Sequence, residues 1–218
     1  MALAIFDLDN TLIAGDSDHG WGEFLVTRNK VDAVAYRDMN EKFYDDYQQG
    51  RLDIHEYLAF ALEPLARLPP EELAALHREF MAEVIEPLCL PRAEALVQRH
   101  RQQGDLLMVI TSTNRFIVEP ICRRLGIGEL LATELEVDQG RYTGKVAGTP
   151  TYREGKVARL REWLDSRDDT LAGSYFYSDS INDLPLLEEV DNPVAVDPDE
   201  PLAAIAAERG WPVISLRG

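Results

Sequence analysis

The chain has 218 residues, of which 45% are hydrophobic and 28% are charged, and its formal net charge is −17. This length allows a substantial hydrophobic core without disulfides or structural metals. The negative charge argues against nucleic acid as a partner, because proteins bind polyanions through clustered Lys and Arg. No apolar stretch reaches the roughly 18 residues that a transmembrane helix needs, so no membrane association is expected.

The first residues carry no recognisable targeting signal. An apolar run follows Met1 directly, without the basic region of a secretory or mitochondrial leader, and a cytoplasmic location is therefore expected. The two cysteines, Cys89 and Cys122, are far apart and outside any C-x-x-C pattern, so neither a disulfide framework nor a zinc site is expected. The sequence leaves open whether the protein is a monomer or a homodimer.

The N-terminal part of the chain reads as one strand followed by helices. Residues 2–7 form a short apolar run, which predicts a buried parallel strand that ends at Asp7. Asp9 falls in the loop after it. Between residues 18 and 86 the hydrophobic pattern is helical and breaks three times, which predicts four helices.

From Pro91 onward the pattern alternates between helices and strands. Helices are predicted at 91–104 and 116–126 and from Lys156 onward; strands are predicted at 106–110, 174–178, 193–196 and 212–216, with a hairpin formed by 133–137 and 142–145. This alternation predicts an α/β fold, namely a doubly wound parallel sheet with a helical cap inserted after its first strand. The expected core comprises residues 1–15 and 89–218, and the expected cap comprises 16–88.

Polar residues at the predicted strand ends suggest phosphoryl-transfer chemistry. Asp7, Thr111 and Asp179 follow three strands, and ligands of doubly wound sheets bind at the carboxyl ends of strands. A carboxylate can attack phosphorus, which makes Asp7 the candidate nucleophile. Asp9, two residues further on, can protonate the leaving group and then deprotonate water.

Other segments supply the groups that such a reaction needs. Thr111 and Ser112 can hold phosphate oxygens, and the ammonium of Lys156 can offset the phosphate charge. Carboxylates suit Mg²⁺, so the expected ligands are Asp7, Asp179 and the main-chain carbonyl of Asp9. Two further residues are predicted around this site: Asp183 would orient the metal ligands and Asn182 would contact phosphate or water.

Together these residues resemble the four motifs of the haloacid dehalogenase superfamily, in particular its phosphoserine-phosphatase-like branch. The motifs are Asp7-x-Asp9-x-Thr11, Thr111, Lys156 and Asp179-x-x-Asn182-Asp183. The resemblance spans nearly the whole chain. It implies a magnesium-dependent phosphatase with a helical cap, which hydrolyses a small phosphorylated metabolite through an aspartyl-phosphate. Phosphatases and phosphotransferases of the superfamily have a second aspartate in the first motif, which is Asp9 in this chain. The dehalogenases of the superfamily lack it.

The cap departs from the phosphoserine phosphatase pattern. Those enzymes grip the amino acid with a glutamate shortly after the first motif and an arginine further on; here Asp16 stands near the place of the glutamate, and the segment 50–61 has no arginine at a suitable position, since Arg51 comes too early. Four cap residues would instead suit a substrate that carries an amine or imidazole: Asp16, Asp18, His19 and Glu23. The resulting hypothesis is an amino-alcohol phosphate such as histidinol phosphate.

Several alternatives remain at this point. Phosphoserine phosphatases and phosphotransferases would use the same core residues. A receiver-like signalling module also combines acidic residues, a hydroxyl, a lysine and magnesium on such a sheet, but it needs neither a cap of some seventy residues nor Asp9. Each aspartate alone could be a turn former or a helix N-cap. Their joint arrangement favours the enzyme.

Overall fold

The computed structural model describes residues 2–167 and 169–217. The described strands are β1 (Leu3–Phe6), β2 (Leu106–Asn114), β3 (Glu129–Thr133), β4 (Leu135–Asp138), β5 (Arg141–Val146), β6 (Tyr175–Ser178), β7 (Asn192–Val196) and β8 (Val213–Ile214). The described α-helices are α1 (Ser17–Thr27), α2 (Ala33–Gln48), α3 (Ile54–Arg67), α4 (Pro70–Phe80), α5 (Glu86–Leu88), α6 (Pro91–Gln103), α7 (Arg115–Arg124), α8 (Glu154–Asp165), α9 (Leu184–Leu187) and α10 (Glu200–Arg209).

Six strands form a parallel sheet in the order β3-β2-β1-β6-β7-β8. The chain builds outward from β1 to one side through β2 and β3, and then returns to build the other side from β6. The direction of winding therefore reverses between β1 and β6, which is where doubly wound sheets bind ligands. The predicted fold class is confirmed: a doubly wound α/β core carries a helical cap.

The first strand is apolar throughout because both of its faces are covered. Leu3 and Ile5 belong to the hydrophobic cluster on one side of the sheet, and Ala4 and Phe6 belong to the cluster on the other. Successive strand residues point to opposite faces, so a strand buried on both sides reads as a continuous apolar run.

The four predicted cap helices are present as α1 to α4. The first three begin at aspartates whose carboxylates accept backbone N–H groups of the first turn, namely Asp16, Asp32 and Asp53. The fourth begins at Pro70, a residue suited to a first helical position. A π-helical turn, Met81–Ile85, then leads into α5.

The two segments that join the cap to the core run side by side. Ile13 and Cys89 form an antiparallel bridge, and the N–H of Ala14 donates to the carbonyl of Leu88 at 2.8 Å. Gly15 lies against the Leu88 side chain, where a Cβ would meet its Cδ1 at 3.0 Å. We call this pairing of residues 13–15 with 88–89 the double hinge.

Some boundaries differ from the sequence predictions. β2 continues past Ile110 to Asn114, because the parallel neighbour β3 extends the pairing as far as Thr133. The edge strand β3 was not predicted, since its first two residues are only half-buried and it is followed after one residue by the hairpin strand β4. The hairpin itself is present as β4 and β5, and α8 begins at Glu154 rather than at Lys156. Within the described ranges, no helix combines the length and apolarity needed to cross a membrane.

Candidate active site

Asp7 and Lys156 meet in a buried cluster under the carboxyl ends of β1 and β6. The Nζ of Lys156 donates to Oδ1 of Asp7 and to Oδ2 of Asp183, both at 2.8 Å. The hydroxyl of Ser178 donates to the same Asp183 oxygen at 2.7 Å. Asp7 is 3%, Lys156 1% and Asp183 2% exposed, so water does not screen these charges. Residues 149 positions apart in sequence are thus in direct contact.

The electrostatics of this cluster balance two anions against one cation. Burial raises the pKa of Asp7 to about 7, although Lys156 opposes the rise, and Asp183 adds to it. Burial disfavours the charged form of Lys156, but the carboxylates of Asp183 and Asp7 outweigh this and raise the pKa of its ammonium above the usual range. Lys156 is therefore a permanent cation beside Asp7.

Asp9 is held between the cap and the core. Its Oδ1 accepts the N–H of Ser17 at 2.6 Å, and its Oδ2 accepts the hydroxyl of Thr113 at 2.8 Å. Burial raises the pKa of Asp9 to about 7, and the neighbouring Asp16 contributes to the rise. A carboxyl group with a pKa near neutrality can both give and take a proton at physiological pH.

Asp179 is fixed to the first loop across the point where the winding of the sheet reverses. The hydroxyl of Thr11 donates to Oδ1 of Asp179 at 2.9 Å and accepts the N–H of Asp179 at 3.1 Å. Burial and the nearby negative charge of Asp7 raise the pKa of Asp179 well above its ordinary value. The loops after β1 and β6 therefore bring the two predicted metal ligands into electrostatic contact.

The donor chemistry of this site fits a magnesium ion. Asp7 and Asp183 both contact the ammonium of Lys156, and Asp179 lies near enough to Asp7 for their charges to interact, so buried negative charge exceeds positive charge here. Within residues 2–167 and 169–217, no three His, Cys, Asp or Glu side chains are grouped closely enough to hold a metal by themselves. Mg²⁺ suits such a site, because it commonly takes one or two carboxylates and completes its shell with water and substrate oxygens.

The predicted phosphate-binding residues lie at the end of β2 and not in a capping loop after it. Thr111 and Ser112 both line the cavity between cap and core. Oγ1 of Thr111 accepts the N–H of Thr113 at 3.2 Å, and the carbonyl of Ser112 accepts the hydroxyl of Thr133 at 2.8 Å. These contacts do not use the hydroxyl hydrogen of Thr111 or the side chain of Ser112, and both residues line the cavity.

Asn182, which was predicted to contact phosphate or water, makes four hydrogen bonds to protein groups. Its Nδ2 donates to the carbonyl of Tyr47 at 3.0 Å and to the hydroxyl of Ser180 at 3.2 Å. Its Oδ1 accepts from the hydroxyl of Tyr152 and from Nε of Arg153, both at 3.0 Å. In this structure the amide links core to cap, and its role toward phosphate stays a prediction.

Asp16 and Asp18 line the cap side of the same cavity. Oδ1 of Asp16 accepts the N–H groups of Asp18 and His19 at 2.9 and 2.8 Å, so this residue is also the N-cap of α1. Burial raises the pKa of Asp16 to about 6 and that of Asp18 to about 7, although a hydrogen bond from the Tyr57 hydroxyl lowers the latter. A cationic ligand would favour the ionised forms of both carboxyl groups.

His19 lines the cavity in a fixed orientation. Nδ2 of Asn40 donates to both Nδ1 and the carbonyl oxygen of His19, at 3.2 and 3.1 Å, so the proton of the neutral ring is on Nε2. The ring lies 4.7 Å from that of Tyr44. A Cβ at Gly22 would come within 2.8 Å of Nδ2 of Asn40, so a glycine is needed there to admit the amide.

Glu23 is the one predicted cap residue that the structure does not place at the cavity among the described lining residues. Its Oε2 accepts from Nε of Arg37 at 3.0 Å, and its Oε1 is buried without a hydrogen-bond partner among the described residues. Glu23 lies one helical turn beyond His19 on the same side of α1, and its carboxylate reaches Arg37 of α2 and not the cavity.

The structure adds Asn40, Tyr44 and Tyr57 to the cavity wall. Tyr57 lies beside the buried Leu58 in α3, and no sequence signal points to its contact with Asp18. The centres of water molecules can occupy about 40 Å³ of this cavity.

A buried carboxylate paired with a buried lysine, a second carboxyl group with a raised pKa and a helical cap are together the arrangement expected of an aspartate-dependent phosphoryl hydrolase. A family model described as haloacid dehalogenase-like hydrolase matches residues 4–188. The chain belongs to this family. It is a phosphatase of the phosphoserine-phosphatase-like branch. The resemblance found in the sequence is confirmed.

Individual relatives agree with this assignment. A protein described as histidinol-phosphatase from Neisseria meningitidis serogroup C is 53% identical, over 99% of both chains. A crystal structure of a protein with unknown function from Bordetella pertussis Tohama I is 44% identical, with a TM-score of 0.93 over 99% of this chain and 98% of the other. A substrate-bound phosphoserine phosphatase shares the fold, with a TM-score of 0.72 at 18% identity over 99% and 93% of the two chains.

Proposed function

We propose that this protein is a magnesium-dependent phosphatase that hydrolyses an amino-alcohol phosphate, such as histidinol phosphate, through an aspartyl-phosphate on Asp7. The observation that carries the proposal is the cavity above Asp7. Its described lining includes the carboxylates of Asp16 and Asp18 and no Lys or Arg. The 53% identical relative described as histidinol-phosphatase supports the same choice of substrate.

In the first half-reaction a carboxylate oxygen of Asp7 attacks the phosphorus of the ester. The new bond joins Asp7 to phosphorus while the bond to the ester oxygen breaks, and the leaving alkoxide takes the proton of Asp9. Lys156 stabilises the negative charge in the transition state, because its ammonium contacts Asp7 directly. Thr111 and Ser112 hold phosphate oxygens.

In the second half-reaction water attacks the phosphorus of the aspartyl-phosphate. Asp9, now ionised, accepts the proton of the water, and the bond between phosphorus and Asp7 breaks to release phosphate. Asp9 thus returns to its protonated form. Its pKa of about 7 suits both directions of this proton transfer.

Asp7, Asp179 and the main-chain carbonyl of Asp9 would hold magnesium, and Asp183 would keep the site ordered through Lys156. The ion supplies charge neutralisation, which lets the anionic phosphate approach an anionic nucleophile. A cytoplasmic location, expected from the sequence, stays a prediction.

The cavity suits an ammonium group better than a carboxylate. A substrate ammonium between Asp16 and Asp18 would compensate charges whose burial raises both pKa values. Phosphoserine carries an additional carboxylate, which would face these carboxylates with no Lys or Arg among the described lining residues to pair with it. The aromatic wall, which includes Tyr44 and Tyr57, offers a surface for an imidazole ring.

The substrate proposal is tested by steady-state kinetics with purified protein and Mg²⁺. We expect kcat/KM for histidinol phosphate to exceed that for phosphoserine by about 100-fold or more, because an unpaired buried charge costs several kcal/mol. A preference for phosphoserine would refute the choice of substrate. Phosphate release measured in the presence of added alcohols distinguishes hydrolysis from phosphotransfer.

Replacing Asp9 by Asn is expected to separate the two half-reactions. Hydrolysis of an alkyl phosphate should slow by about 10²- to 10⁴-fold, because its alkoxide needs a proton. With p-nitrophenyl phosphate the leaving group departs unprotonated, so Asp7 is still phosphorylated while hydrolysis of the intermediate is slow. Rapid-mixing kinetics should show a burst of about one nitrophenolate per enzyme.

Asp138→Asn is the control for Asp9→Asn, because Asp138 is exposed in the β4–β5 hairpin and loses the same charge. It should behave as the wild type does. An Asp9→Asn enzyme that shows no burst and a uniform loss of rate with both substrates would contradict the acid–base assignment.

Replacing Asp18 by Asn is expected to lower kcat/KM for histidinol phosphate by about 10- to 100-fold, the value of one charge-assisted hydrogen bond. Activity toward p-nitrophenyl phosphate, which has no ammonium, should change little. Glu23→Gln is the matched control, since Glu23 faces Arg37 and not the cavity. Equal losses in the two variants would remove Asp18 from the binding site.

We also propose that residues 16–88 form the cap and that 1–15 with 89–218 form the core. The double hinge supports these boundaries. Ile13 is paired with Cys89, and Ala14 is hydrogen-bonded to Leu88, at the place where the chain passes from the core to the cap and back again.

A further inference from the structure

Two core side chains bind backbone carbonyls at and just after the C-terminal end of the cap helix α2, and a third side chain bonds to one of these two. Nη2 of Arg153 donates to the carbonyl of Gly50, and Nδ2 of Asn182 donates to the carbonyl of Tyr47 at 3.0 Å. Oδ1 of Asn182 accepts from Nε of Arg153 and from the hydroxyl of Tyr152, both at 3.0 Å. We call the group formed by Tyr152, Arg153 and Asn182 the α2 clamp.

The clamp acts on a part of the cap that is suited to binding a cation. The last carbonyls of a helix form the negative end of its dipole, and here the carbonyl of Tyr47 accepts the N–H of Gly50 as well as Nδ2 of Asn182. The guanidinium of Arg153 carries several fixed donors and stays charged, so it can bond the Gly50 carbonyl and the Asn182 amide together. Gly50 has a φ of +64°, which turns its backbone at the end of α2.

The clamp is directly connected to the catalytic cluster. Asn182 precedes Asp183, whose carboxylate accepts from Lys156, and Arg153 precedes Lys156 by three residues at the start of α8. Arg153 has a φ of 50° and a ψ of −120°, a conformation that residues with a side chain rarely adopt. Such a backbone persists where surrounding contacts hold it, and here the side chain reaches both the cap and Asn182.

We propose that Arg153 and Asn182 are positioning residues that hold the cap closed through the terminal carbonyls of α2. When the cap is closed, Asn182 gains its bond to the Tyr47 carbonyl and Arg153 gains its bond to the Gly50 carbonyl. Asn182 is thereby fixed next to Asp183, which contacts Lys156. This inference goes beyond the hydrolysis reaction and does not depend on which phosphate ester is the substrate.

The test compares Arg153→Ala, Arg153→Lys and a control, Arg161→Ala. Arg161 is exposed on the same helix and pairs with Glu189, away from the cap. In Arg153→Ala we expect amide hydrogen exchange at residues 47–52 to accelerate about tenfold. KM for histidinol phosphate should rise about tenfold. The turnover rate with saturating p-nitrophenyl phosphate should change less than about threefold. Arg153→Lys should show smaller changes than Arg153→Ala, since lysine keeps a positive charge near the helix end.

A double variant, Arg153→Ala with Asn182→Ala, should accelerate exchange by no more than the larger single change, because the two residues share one network. Unchanged exchange at residues 47–52 in Arg153→Ala would overturn the proposal. So would weaker inhibition by inorganic phosphate with unchanged exchange, which would make Arg153 a phosphate ligand. The exchange result stands even if histidinol phosphate is not a substrate, so failure of the clamp and failure of the proposed function are distinguishable.

Discussion

Asp7→Asn is expected to lower turnover by at least about 10⁴-fold, with both alkyl and aryl phosphates, while leaving the fold intact. The amide has nearly the shape of the carboxylate but cannot form the covalent intermediate. The change also removes one of the two anions that contact Lys156, and the ammonium keeps its bond to Asp183. A folded, inactive protein is therefore the expected outcome.

Acid-quench trapping with a radiolabelled substrate measures the intermediate directly. Wild-type protein should retain label on the peptide that contains Asp7, and Asp7→Asn should retain none. Asp138→Asn serves again as a control for loss of charge at an exposed position. Labelling of Asp7→Asn at the wild-type level would assign the nucleophile to another residue.

Lys156→Met is expected to destabilise the protein and to abolish most of its activity. The side chain is 1% exposed and neutralises the carboxylates of Asp7 and Asp183, so its removal leaves buried charge without compensation. Removing one partner of a buried ion pair typically costs about 3–5 kcal/mol. Methionine fills much of the same volume, so the electrostatic loss should dominate over the loss of packing.

The destabilisation should depend on pH in a defined direction. Burial raises the pKa of Asp7 to about 7, and Lys156 opposes that rise, so the variant raises it further. A folded-state pKa above the unfolded value means that the folded protein binds more protons, and its stability falls as pH rises above the unfolded value of about 4. The deficit of Lys156→Met in the free energy of unfolding should be larger at about pH 8 than at about pH 5.

Urea unfolding at the two pH values measures this deficit. Lys145→Met is the matched control, because Lys145 is an exposed lysine of the β4–β5 hairpin. A deficit that is equal at both pH values would show that Lys156 contributes through packing and not through charge.

The central residues of the site could be predicted from the sequence because a residue that directly follows a parallel strand has a known place, at the carboxyl edge of the sheet. Asp7 and Asp179 each follow a short apolar run, and parallel strands bring their carboxyl ends to one edge of the sheet. The presence of Lys156 at the site was predicted from the chemistry of phosphoryl transfer, and the structure places its Nζ 2.8 Å from Oδ1 of Asp7. Their catalytic roles stay predictions until the variants are measured.

The cap could not be predicted to the same level. Helical periodicity gave four helices, but the direction in which Asp18 or Glu23 points depends on how these helices pack over the core. Only the packed structure shows that the Tyr57 hydroxyl donates a hydrogen bond to Asp18 and that Nε of Arg37 donates one to Glu23. The engagement of Asn182 with the Tyr47 carbonyl was equally hidden, since it joins residues 135 positions apart through a backbone group that carries no sequence signal.

The double hinge has a consequence for how such enzymes diversify. Because Ala14 and Leu88 are hydrogen-bonded neighbours, the whole helical insertion leaves and rejoins the core at practically one point. Its replacement by a shorter or different segment would not stretch the core backbone or separate Asp7 from Asp179. Evolution can therefore exchange the part that we propose selects the metabolite while keeping the part that we propose breaks the phosphate ester.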